Sequence, residues 1–189
     1  MPTYLFLFMM FFASSLLSPI QQGSLFRLLL IIFFVTFVIP AISIGTLRLS
    51  NFITDLALSS RRERILPFLF VTCFYGISTY MFYAKLSINN MFFLVFATTT
   101  VLLLILTIIT AFWKISIHGA GIGGVLGFIL AIGSAITIPH FSAALSVIVI
   151  LIGLVIYARL KLQAHTPNQV YGGVLLGFVI CSGSMLFFL

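Results

Sequence analysis

The chain has 189 residues, 62% of them hydrophobic and 6% charged, with nine Lys and Arg against two Asp and Glu and a mean hydropathy of +1.34. That balance excludes a soluble globular domain and a disordered chain, both of which need far more polar surface. It also excludes an outer-membrane barrel, because the apolar residues run on without alternating with polar ones.

Hydrophobic segments cover residues 2–18, 25–47, 65–86, 91–112, 119–138, 141–158 and 168–188. A helix of about 20 residues crosses a hydrocarbon core of about 30 Å, and lipid offers backbone groups no partner outside a helix or a closed barrel. The expected fold is therefore all-α: one polytopic integral membrane bundle of six to seven transmembrane helices, a single membrane domain over 1–189. The first segment is short and bounded by Pro19 and the polar "QQGS", so it reads as a re-entrant or tilted piece. It has neither a basic n-region nor a small-residue cleavage site and does not read as a removable signal. From residue 91 onward the turns are short, with "SINN" at one end and "PH" at another, which makes neighbouring helices antiparallel hairpins. Cys73 and Cys181 lie inside apolar segments with no metal or redox spacing, as small buried hydrophobes do.

Charge is placed unevenly. The connections 48–64, 112–118 and 159–167 are each two spans apart and so emerge on one membrane face. They carry Arg48, Arg61, Arg62, Arg64, Lys114, Arg159 and Lys161, the acids Asp55 and Glu63, and His118 and His165. Arg27, Lys85 and His140 are what remains for the other face. The positive-inside rule explains such a bias without chemistry and puts this face in the cytoplasm. A convergent set of cations and histidines also suits a phosphate.

Spacing distinguishes the two. His165 precedes Thr166-Pro167, a good N-cap and first-turn pair for the last span, so it stands at a helix start whose backbone N–H groups and dipole favour an anion. Gln169, four residues on, is within reach of a ring nitrogen across one turn. His118 repeats the arrangement at the start of the fifth segment, with Lys114 one turn earlier. Gly119, Gly123 and Gly127 recur every fourth residue after it, as do Ala120 and Gly124. Their first meaning is close helix packing, and such packing would draw the two histidine-bearing helix starts together.

"ARLKLQAHTPNQVYGGVLLG" (158–177) resembles the third signature of the phosphatidic acid phosphatase type 2 superfamily, S-R-x5-H-x3-D followed by small residues, and "KISIHGAG" resembles its second, P-S-G-H. The resemblance covers residues 112–177, and "SSRRERILPF" is similar to the preceding loop in a group of bacterial membrane members. It implies a six-helix phosphatase-like core and hydrolysis of a lipid phosphate or diphosphate without metal or other cofactor. By that resemblance His165 is the nucleophile that forms a phosphohistidine, His118 the acid and base, Gln169 the partner of His165, and Arg159 the phosphate ligand. Ser116, Arg61, Arg62 and Arg64 are further phosphate-binding candidates. Lys114 is added on its spacing alone. The implied setting is a bacterial inner membrane, with lipid phosphate and the bilayer as partners and no nucleic acid.

Three positions depart from the signatures. Ala158 replaces the serine, Ile115-Ser116-Ile117 replaces Pro-Ser-Gly, and Gln169 replaces a carboxylate, so it can fix a tautomer but brings no charge. "RRERILP" lacks the K-x6-R-P spacing of the first signature; its arginines also suit lipid headgroups or topology signals. A catalytically degenerate relative that binds anionic lipid or scaffolds membrane proteins is the alternative. A small transporter is a third reading, for which the spans lack paired interruptions and intramembrane acids.

Overall fold

The computed structural model describes residues 2–12, 17, 22–54, 61–85, 90–138 and 140–188, with backbone alone at 22, 61, 62, 85 and 90. Pro19, Asp55, Pro139 and most of the "SINN" turn lie outside these. The described residues form α1 (Pro2–Phe12), α2 (Gln22–Phe33), a π-helical segment (Phe34–Val38), α3 (Ile39–Leu49), α4 (Arg61–Lys85), α5 (Asn90–Phe112), α6 (Ile117–Ala135), α7 (Phe141–Lys161) and α8 (Pro167–Phe188). Among the described residues six stretches are long and apolar enough to cross a membrane: Gly23–Leu49 and the five helices α4 to α8. The protein is an all-α polytopic integral membrane protein. At about 1.5 Å per residue the 11 residues of α1 rise only about 16 Å, half a crossing.

The chain divides into two compact units, Gln22–Lys114 and Met1–Gln21 with Ile115–Leu189. In the first of these, α2, the π-helical segment and α3 run as one span. Pro40 has no N–H to give the Thr36 carbonyl; the Tyr75 hydroxyl of α4 donates to that carbonyl at 3.5 Å. The π-helical register just before Pro40 is the local adjustment such an interruption calls for. Two hydroxyl pairs, Thr72–Thr107 at 3.3 Å and Thr79–Thr100 at 3.0 Å, zip α4 to α5 in one antiparallel register. In lipid such pairs act as glue because the hydroxyls find no water.

Helix α3 ends in a Schellman motif. Asn51 is left-handed (φ 59), its N–H donates to Arg48 O at 3.2 Å, and Phe52 N–H donates to Leu47 O at 3.0 Å. That pattern satisfies two carbonyls the helix end would leave unpaired. Thr54 then binds the Glu63 carboxylate twice, through N–H at 2.9 Å and through Oγ1 at 2.9 Å. These bonds tie the loop to α4, which starts at Arg61, four residues before the apolar segment begins.

In the second unit α6 packs on α8 over nearly its whole length. A Cβ at Gly119 would lie 2.8 Å from Val170 O, and at Gly127 2.6 Å from Phe178 O, while Cβ atoms at Gly123 and Gly177 would strike the carbonyls of Val174 and Ala120. Contact positions rise together in number along both helices, so α6 and α8 are parallel. Two parallel neighbours need a returning helix between them, and α7 supplies it. Buried Leu5, Phe6 and Met9 anchor α1 in this unit, against α6 and α7. Helix α6, the fifth hydrophobic segment, stops at Ala135, short of residue 138, and α7 continues to Lys161, past residue 158.

Candidate functional site

Parallel α6 and α8 with antiparallel α7 put two helix N-termini and one helix C-terminus at the same end of the unit. The N-terminal ends carry partial positive charge. Three local devices then set the side chains.

The first is the start of α6. Ser116 is its N-cap; its Oγ accepts from Gly119 N–H at 3.2 Å. Its own N–H donates to the backbone carbonyl of Gln169 at 3.1 Å, which pins the two helix starts to each other. Ser116 is 0% exposed, so its hydroxyl serves the cap rather than an open face. His118, two residues on, is exposed.

The second is the reversal from α7 to α8. Gln163 is left-handed (φ 50), its N–H donates to Leu160 O at 2.9 Å, and Ala164 N–H donates to Arg159 O at 3.2 Å. This is a Schellman motif with glutamine where glycine or asparagine is usual. It folds the chain back so that His165 returns beside the helix end that carries Arg159. Arg159 Nη1 lies 3.1 Å from His118 Nδ1. Lys161 points elsewhere, with Nζ 5.4 Å from the Tyr157 ring centre.

The third is the start of α8. Gln169 Oε1 lies 3.3 Å from His165 Nδ1 and accepts from Thr166 N–H at 3.1 Å. Thr166 and Gln169 thus form half of a capping box, in which the third helical residue reaches back to the cap N–H. Because Thr166 N–H can only donate, the amide oxygen faces the imidazole. His165 Nδ1 then carries the ring proton, and Nε2 keeps its lone pair. The sequence signal for the Thr166–Gln169 pair is T-x-x-Q before an apolar run, a pairing separate from the Gln169–His165 contact that the spacing predicts. Nothing in the sequence marks Gln163.

His118, Arg159, His165 and Gln169 are thus brought to one end of one unit, with Ser116 beneath them. Lys114 and Arg64 belong to the other unit. Burial, and second the charge of Arg64, hold the Lys114 ammonium below the usual lysine range. Arg64 is buried at 6% exposure, on the stripe of α4 that also carries Thr72 and Thr79. Arg61 and Arg62 open α4, and their side chains lie outside those described. Among the described residues no three His, Cys, Asp or Glu side chains stand within reach of one metal ion.

Chemically, the arrangement offers an imidazole whose Nδ1 proton is directed at Gln169, a second imidazole bonded to a guanidinium, and two helix N-termini. A nucleophile, a proton carrier and a phosphate ligand are the corresponding roles. Compared with family models, curated proteins and solved structures, the chain matches none.

Proposed function

We propose that the protein is a membrane phosphatase acting on a lipid phosphate or diphosphate. One observation carries the reading: the close α6–α8 crossing holds a tautomer-fixed histidine, His165, at the same end as a histidine–arginine pair, His118 and Arg159. His165 Nε2 attacks phosphorus, the P–N bond forms as the P–O ester bond breaks, and the leaving alkoxide takes a proton from His118. His118 then removes a proton from water, which displaces His165 and releases inorganic phosphate. Arg159 balances the equatorial oxygens as charge spreads over them. The lipid enters sideways from the bilayer, and the site faces the cytoplasm of a bacterial inner membrane, as the charge bias favours. Lys114 and the arginines of α4 serve the headgroup layer on that face.

The test is release of inorganic phosphate from a panel of lipid phosphates by the purified protein. His165→Ala is expected to abolish release, and acid-labile phosphate should be trapped on the wild-type protein but not on the variant. A neutral Gln169 favours a second reading, anionic-lipid binding without turnover. Lipid binding with no release across the panel would select it.

A further inference from the structure

Arg159 is a permanent cation whose N–H groups only donate. With Nη1 3.1 Å from His118 Nδ1, that nitrogen must present its lone pair, and the ring carries its proton on Nε2. An imidazolium bears N–H on both nitrogens and would turn a proton toward the guanidinium. The Arg159 contact and a doubly protonated His118 therefore exclude one another. Yet the step assigned to His118 gives a proton to the alkoxide and leaves a neutral ring, so it starts from imidazolium.

We propose that the site takes up its tetrahedral oxyanion together with one proton: the anion draws Arg159 off His118, and the freed Nδ1 accepts a proton from solvent. The proposal rests on the phosphatase reading for its ligand class and adds how that ligand is bound. A guanidinium can bond an oxyanion through two parallel N–H groups with both partners charged, which one neutral imidazole nitrogen does not match, and an adjacent anion favours the charged ring. Among the described residues the titratable and charged groups on elements packed against α6 are Arg159, Lys161 and Tyr157 of α7, His165 just before α8, Tyr171 and Cys181 of α8, and Tyr4 of α1. Arg159 and Lys161 oppose a proton on His118 while the site is empty. An arriving dianion offsets them, so anion and proton promote each other's binding.

Inorganic sulfate is the probe, because its charge is constant across the histidine range, about pH 8 to about 6. Calorimetry of the full chain in neutral detergent, in buffers of differing ionisation enthalpy, is expected to show uptake of one proton per sulfate. Affinity should rise about tenfold for each unit fall in pH while free His118 is neutral. His118→Gln keeps an acceptor for Arg159 that does not titrate, and its pH slope is expected to vanish. In 15N spectra of histidine-labelled wild-type protein, His118 Nδ1 should change from a lone-pair to an N–H signature on adding sulfate. That readout decides the matter even if the variant fails to fold. A parallel arm replaces sulfate with vesicles containing phosphatidic acid; the signature with vesicles alone makes the lipid the required source, and with both makes the free anion sufficient, either result supporting the coupling. Binding with no pH slope, or with a slope that survives His118→Gln, overturns the coupling and leaves the phosphatase reading standing. No binding of either anion at any pH overturns both.

Discussion

At the scale of single residues, Gln169 is the side chain on which rate should turn. Its oxygen fixes the His165 tautomer but stabilises no positive charge on the ring, and loss of charge at the equivalent place in a serine protease triad costs about 10⁴ in turnover. Gln169→Glu keeps the reach to His165 Nδ1 and to Thr166 N–H while adding the carboxylate. Phosphate release should rise at least about tenfold by comparison with that scale, and a rate unchanged from wild type would remove Gln169 from its role as the partner of His165. The helix start should also gain about 0.3–1 kcal/mol from an acid in its first turn. Lys114 is the other informative residue. Folding lowers its proton affinity, by burial first and by Arg64 second, so in the alkaline range between folded and unfolded values the unfolded chain holds more protons. Stability should therefore rise with pH there. Arg64→Gln removes the second cause, and NMR titration of dimethylated lysine should place Lys114 higher in that variant than in wild type.

At the scale of elements, the α6–α8 crossing and the α7 reversal carry the site, and they differ in how far the sequence announces them. The four-residue glycine spacing on α6 pointed to a close helix partner, and Gly173 and Gly177 provide the complementary face on α8. That parallel packing follows from hairpin topology once the short turns are read. The reversal was opaque, because Gln163 occupies a left-handed position that propensity assigns to glycine or asparagine. The π-helical segment was equally hidden, since Pro40 signals an interruption but not the register shift that absorbs it. Gly177→Ala should push Cβ into the Ala120 carbonyl and destabilise the unit by about 1–3 kcal/mol, seen as a lower thermal midpoint in detergent. Gly153→Ala, at a position with nothing within 4 Å, should not lower the midpoint, because alanine is the better helix former. Gln163→Gly should raise stability by roughly 0.5–1 kcal/mol through relief of the left-handed strain. A drop instead would mean that the glutamine side chain, rather than the backbone turn, holds the reversal.

At the scale of the whole molecule, the charge bias is a statement about orientation. Two spans separate each of the connections after α3, α5 and α7, so alternation across the bilayer returns them to the same side. Part of their positive charge has a chemical reason to be there, since Arg159 bonds His118. Subtracting Lys114, Arg159 and Lys161 still leaves Arg48, Arg61, Arg62 and Arg64 against Arg27 and Lys85, and the proposed cytoplasmic orientation rests on that excess. Arg48 sits in the last turn of α3, where the dipole also favours a cation, but dipole and topology signal act in the same direction. In a background of Cys73→Ala and Cys181→Ala, a thiol at Ser50→Cys should resist an impermeant maleimide in intact bacterial cells and react once the membrane is opened. A thiol at Ser142→Cys, at the start of α7 and one crossing away, should show the reverse. If Ser50→Cys labels from outside instead, the arginines of α4 are not topology signals, and their concentration needs an anionic ligand in the outer leaflet to explain it.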